Sequence, residues 1–131
     1  MGSGDADVAP PGGAIEAVRR CKYRYLRALD QKEWDVLADT LTEDVVASYG
    51  GGAATLRGRH EVMDYLRAAL ADEGILTSHR VHHPEIELIG IDRATAVWAM
   101  DDVVVHQPAG VLISGAGFYT DELRCCADGR W

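Results

Sequence analysis

Over residues 14–29 the apolar positions Ile15, Val18, Tyr25, Leu26 and Leu29 recur near the helical period, with Arg and Lys between them. That pattern predicts an amphipathic helix. Asp30 followed by Glu33 has the spacing of a helix-start box, in which the first side chain caps backbone amides and the second reaches back. Trp34, Leu37, Ala38 and Leu41 continue on one face, so a second, short helix is predicted directly after the first. Residues 45–49 form a short β-branched run that ends in Gly50, Gly51 and Gly52, and residues 54–56 resume before Gly58, which reads as a small hairpin. Val62, Met63, Leu66, Ala69 and Leu70 predict a third amphipathic helix stopping near Gly74. The remainder predicts strands over 77–83, 85–89, 94–106 and 111–124, punctuated by GID, QPAG and ADG turns. Helices first and a long antiparallel meander afterwards is an α+β layout.

Residues 1–13, MGSGDADVAPPGG, are small, polar and rich in Pro and Gly, so they are expected to form a loose tail outside the fold. Residues 14–131 are expected to form a single domain. Its end, ADGRW, places Trp131 where one more strand would begin, so the last strand of the domain is expected to be missing.

Composition narrows the classes of function. A 131-residue chain that is 47% apolar and 26% charged can bury a core without metal or disulfide staples. No apolar run approaches the length of a membrane span, and no secretory leader pattern opens the chain. Thirteen basic against 21 acidic residues give a formal net charge of -8, which repels nucleic acid and anionic membranes and favours a neutral, hydrophobic small molecule as partner. The basic run Arg19, Arg20, Lys22, Arg24 and Arg27 reads as a solvated helix face. Cys21, Cys125 and Cys126 form no disulfide framework and no zinc spacing, which fits a reducing, cytoplasmic setting and inert thiols.

Candidate chemistry follows from strand parity. In TAVWAMDDVVVH the residues Trp98, Met100, Asp102, Val104 and His106 share one face. If the bulky Trp98 and Met100 mark the inside, Asp102 points inward among apolar neighbours and requires a partner there. The segment LTSHRVHHPEIEL can supply one: His79 shares a face with Val81, and Arg80 shares the other with His82. An imidazole bonded to a buried aspartate is fixed in tautomer and suited to general acid–base work, so His79 oriented by Asp102 is the candidate pair. Tyr25, on the inner face of the first helix, is a candidate donor to a substrate oxygen, and Tyr49 ends a strand near the pocket mouth. His82 and His83 point to opposite faces and no two-His-one-carboxylate spacing is present, so no metal is expected. Each residue also has a plain structural role open to it: Asp30 as a helix cap, Tyr25 as core, His79 as a satisfied core histidine.

The segments YRYLRALDQKEWDVL, DVVASYGGG, LTSHRVHHPEIEL, WAMDD and GAGFYTDELRCCADGRW resemble the nuclear-transport-factor-two-like superfamily, with its SnoaL-like proteins, ketosteroid isomerase and scytalone dehydratase, and within it the bile acid 7-alpha-dehydratases. The resemblance implies a cone-shaped α+β barrel of N-terminal helices on a curved, mostly antiparallel sheet. It implies Tyr25, His79 and Asp102 as catalytic residues, and Asp30, Tyr49, His82, Trp98 and His106 as substrate-binding positions. His83 and the run Gly50 to Gly52 depart from the dehydratase pattern, so the resemblance extends to the site residues rather than to the loops that select substrate. The function this implies is a cofactor-free lyase, a dehydratase acting on a polycyclic or steroid-like carbonyl compound. The alternatives are an isomerase, cyclase or epoxide hydrolase in the same pocket, or a non-catalytic binding or accessory-subunit module. A homodimer or higher homo-oligomer is expected through the outer face of the sheet.

Overall fold

The computed structural model describes residues 13–131, so the tail expected ahead of the first helix lies outside the described residues save Gly13, which opens α1. The elements run α1 (Gly13–Gln31), α2 (Trp34–Asp39), β1 (Val46–Tyr49), β2 (Ala54–Arg57), α3 (Arg59–Leu70), β3 (Ile75–Ile89), β4 (Arg93–His106) and β5 (Val111–Arg124). This is the α+β order that the apolar periodicity predicts. The β1–β2 pair is a separate antiparallel hairpin, and β3, β4 and β5 form an antiparallel sheet in that order. The sheet is curved and not closed into a barrel.

The end of α1 departs from the sequence reading. The Lys32 N–H donates to the Leu29 carbonyl at 3.3 Å and the Glu33 N–H to the Ala28 carbonyl at 2.8 Å, with Lys32 at φ 57°. This is a Schellman closure with lysine where glycine is usual. It carries Asp30 inside the last turn of α1 rather than at the start of α2. The residue preceding α2 is Glu33, and no side chain caps it. The helix-start box expected at Asp30 and Glu33 is therefore not formed.

The two strands expected over 77–83 and 85–89 are one strand of 15 residues, β3, interrupted by a register shift between His82 and Glu85. His83 takes φ 30° in this bulge, and Pro84, which cannot donate to a ladder, sits beside it. The extra residues switch the inward parity: Thr77, His79 and Val81 face in before the bulge, and Ile86 does so after it. Gly90 and Gly110 take φ 63° and 67° in the turns that bracket β4.

Two apolar clusters hold the layers together. Ala28, Leu29, Leu37, Val62, Met63 and Leu66 knit the three helices, and Val18 of α1 packs on Ala94, Ala96 and Trp98 of β4. The small alanines let α1 approach the sheet closely, and Trp98 fills the space beyond them. After β5 the chain turns and returns Trp131 against α1, where its carbonyl accepts from the Cys21 thiol at 3.4 Å. No helix among the described residues is long and apolar enough to cross a membrane.

Candidate active site

α1 and the inner face of the sheet converge on one imidazole. Asp30 Oδ1 accepts from His79 Nδ1 at 2.7 Å and from the Thr77 hydroxyl at 2.8 Å, while Oδ2 accepts the His79 backbone N–H at 2.9 Å. A carboxylate in the last turn of a helix faces the negative end of the helix dipole, an unfavourable place without partners. Three donors from β3 supply them. Burial pushes the Asp30 carboxyl upward, but the His79 ring, the His79 amide and Thr77 outweigh it, so it stays below its ordinary value. The His79 side chain is only 11% exposed.

Since a carboxylate only accepts, the bond to Asp30 puts the proton on Nδ1 and leaves Nε2 with a lone pair in the neutral ring. Nε2 faces the carboxylate of Asp102, the β4 residue directly opposite His79, at 3.8 Å. That is too long for a hydrogen bond and close enough to stabilise an imidazolium once Nε2 takes up a proton. The expectation that Asp102 orients His79 is thus corrected: Asp30 bonds Nδ1 and orients the ring, and Asp102 faces Nε2. The reason is geometric, because Asp102 meets the far edge of the ring across the strand pair while α1 delivers Asp30 to the near edge.

Across β5 from Asp102 lies Gly115, and a Cβ there would fall 2.6 Å from Asp102 Oδ1. This glycine makes room for the carboxylate. The remaining inner-face positions of β5 include Tyr119 and Asp121, neither of which sequence reasoning singled out. The alternation GAGFYTD was the available signal, since it puts Gly115, Gly117, Tyr119 and Asp121 on one side.

Tyr25 is inward, and its hydroxyl lies 3.3 Å from that of Tyr49, whose ring stacks on Tyr65 at 5.4 Å. Burial is the main cause that raises both phenols above their ordinary range, Tyr25 strongly, so both remain proton donors. Lys22, read as part of a solvated face, is instead 7% exposed and pairs with Asp121 at 2.8 Å, because the helical phase turns it toward β5. Burial lowers its pKa against the opposing pull of Asp121.

The structure does not bring the other expected residues to the site. His82 lies on the outer face, half exposed, with Nε2 3.3 Å from Asp101, which also takes Arg80 at 3.0 Å. Strand parity separates it from His79. Trp98 faces inward but is fully buried beneath α1, with Tyr23 edge-on, so it is core rather than lining. His106 ends β4 four residues beyond Asp102, and its Nδ1 accepts the Ala109 N–H in the following turn. His83 belongs to the bulge. Two surface cavities, of about 590 and 440 Å³, lie elsewhere: one between α1 and the segment 129–131, the other beside Arg59 and Met63. The convergence of ionisable groups, rather than cavity size, marks the inner face. No set of three or more His, Cys, Asp or Glu side chains among the described residues is arranged to hold a metal ion.

A SnoaL-like domain model matches residues 13–131. The chain belongs to the SnoaL-like domain family. Its fold is similar to that of ActVI-ORFA from Streptomyces coelicolor, with a TM-score of 0.75 and 21% identity over 90% of each chain. A candidate scytalone dehydratase from Novosphingobium aromaticivorans gives a TM-score of 0.81 and 21% identity, over 90% of this chain and 77% of the other. A ketosteroid isomerase-like protein from Erwinia carotovora atroseptica gives 0.72 and 20%, over 88% and 87%. At these identities the likeness establishes the nuclear-transport-factor-two-like fold.

Proposed function

We propose that this SnoaL-like chain is a cofactor-free lyase that dehydrates a hydrophobic, polycyclic or steroid-like carbonyl compound by acid–base catalysis at His79. The observation that carries the proposal is the 2.7 Å bond between Asp30 and His79 Nδ1, which leaves Nε2 free and faced by Asp102 at 3.8 Å. In this reading Nε2 takes the proton made acidic by conjugation to the carbonyl, and the C–H electron pair moves onto the carbonyl oxygen as an enolate. Tyr25 donates to that oxygen. The Nε2–H, stabilised by Asp102, then protonates the departing hydroxyl; the enolate collapses, the C–O bond breaks and water leaves. Positioned proton transfer contributes about 10²- to 10⁴-fold, and fixed donors to the enolate supply a further share. Ketosteroid isomerase applies the same electrostatic logic with an aspartate base, whereas histidine takes that place here.

One finding favours a second reading, a non-catalytic small-molecule-binding module: Trp98, expected to bind substrate, is consumed by the core. Absorbance at the band of a newly conjugated dienone, followed with a panel of hydroxylated enone steroids, separates the two. Turnover by the wild type that His79→Ala abolishes supports the lyase; ligand binding with no turnover by the wild type supports the module. An isomerase acting through the same residues would shift the double bond without losing the mass of water. Pairing of two copies through the outer sheet face, where Leu112 and Phe118 stand exposed, belongs to the same proposal and is tested by light scattering on the eluted protein.

A further inference from the structure

One inward polar group plays no part in the dehydration scheme. Tyr119 lies opposite Trp98 on the inner side of β5, two inward steps along from Gly115, which itself faces Asp102. Between them Gly117 carries no side chain, and a Cβ there would only just touch Met100 Sδ, at 4.0 Å. β5 itself therefore places no side chain between Asp102 and the Tyr119 ring, and the Met100 thioether of β4 lies alongside Gly117.

The ring itself has an unusual seat. The Lys22 ammonium lies 3.7 Å from the centroid of Tyr119 and 5.0 Å from that of Tyr25. A buried ammonium requires a counter-charge, and Asp121, the next inward residue of β5, holds it at 2.8 Å. A single ion pair thus fixes a phenol from α1 and a phenol from β5 on the same cation. The hydroxyls of Tyr25 and Tyr49 lie 3.3 Å apart, within bonding distance, whereas that of Tyr119 makes no hydrogen bond among the described residues.

We propose that Tyr119 is a second substrate-facing phenol of this site, seated by the Lys22–Asp121 pair and donating to the same substrate oxygen as Tyr25. Lys22 is a positioning residue that acts through the two rings. The inference rests on the inner face being the ligand site, and it deepens that reading by naming a paired-phenol cradle for an oxygen that gains negative charge. Burial, first, and then the neighbouring Tyr49 phenol and the carboxylates of Asp102, Asp121 and Asp30 push the Tyr119 phenol well above its ordinary range, which keeps its proton available for donation.

The test uses the full chain and 2-naphthol, a fused-ring phenol whose anion mimics an enolate and whose fluorescence reports both binding and ionisation. Affinity and the bound anion fraction are compared in wild type, Tyr119→Phe and Lys22→Met, with His79→Ala assayed in parallel for dienone formation. Tyr119→Phe keeps the ring on the ammonium and removes only the hydroxyl, so folding is preserved. The expected result is a loss of about 10- to 100-fold in affinity for the anion with a fall in its bound fraction. Circular dichroism on Lys22→Met shows whether its own loss comes from unfolding. Unchanged affinity and anion fraction in Tyr119→Phe would overturn the inference, as would a wild type that does not bind 2-naphthol. If Tyr119→Phe loses the anion while His79→Ala retains turnover, the inference stands and the lyase reading falls; the reverse pattern does the opposite.

Discussion

β3 and β4 build two histidine–aspartate groups from neighbouring positions, one on each face of the sheet. On the inner face His79, 11% exposed, is bonded through Nδ1 to Asp30 and faces Asp102 with Nε2. On the outer face His82, 48% exposed, shares Asp101 with Arg80 at distances of 3.3 and 3.0 Å. The residue types are the same and the strands are the same. What differs is water: outside, solvent screens the charges and leaves the side chains free to rearrange, so such pairs contribute little. Inside, the third group, Asp30, arrives from a helix and fixes one ring nitrogen. A histidine beside an aspartate is fixed in one tautomer, with its other nitrogen open, only when a second element takes the first nitrogen.

The largest test of that contrast is the pair of alanine variants. His79→Ala is expected to reduce dienone formation by about 10²- to 10⁴-fold, and His82→Ala to leave it within about twofold, measured as kcat/KM. Next comes the helix contribution. Asp30→Asn keeps the shape but offers an amide that can present the wrong partner to Nδ1, and a loss of about 10²-fold in kcat is expected. Asp101→Asn on the outer face should change neither rate nor denaturation midpoint.

A smaller effect concerns Gly115. Its added Cβ would meet the Asp102 carboxylate at 2.6 Å, and a carboxylate at the end of a short side chain can swing aside. Gly115→Ala is therefore expected to lower kcat by about tenfold through misplacement of Asp102, with little change in melting temperature. Gly117→Ala, whose Cβ meets only Met100 Sδ at 4.0 Å, should leave both unchanged.

The smallest effect is on acid stability. In the folded protein the Asp30 carboxyl titrates below the ordinary aspartate range, because the bonds from His79 and Thr77 prevail over burial. A depressed carboxylate stabilises the fold above its unfolded pKa, and that contribution is lost as pH falls through the folded value. The urea midpoint of the wild type should therefore drop between about pH 5 and pH 2 more steeply than that of Asp30→Asn. Parallel slopes would show that Asp30 is not held by these bonds in solution.

Much of this architecture is legible in the chain. Helical period and strand alternation depend on neighbours a few residues apart, so the order of elements, the inward parity of β4 and the shared face of His79 and Asp102 can all be read from spacing. The resemblance to SnoaL-like proteins also holds over residues 13–131. What went astray did so through contacts distant in sequence. Asp30 offered a local capping signal, yet its carboxylate is claimed by Thr77 and His79, 47 and 49 residues away. Lys22 looked solvated among arginines until β5 placed Asp121 beside it. His82, Trp98 and His106 have residue types suited to a pocket, but face, core packing and a turn bond remove them from it.

The sequence by itself determined which side chains share a face along each unbroken stretch of strand, because parity is a property of one regular backbone. Only the tertiary structure decided which of them meet, because the register of β3 on β4, with its shift at the His83 bulge, and the seating of α1 on β3 join segments distant in sequence. A carboxylate finds its imidazole through that packing, and the same packing chose Asp30 for one edge of His79 and left Asp102 for the other.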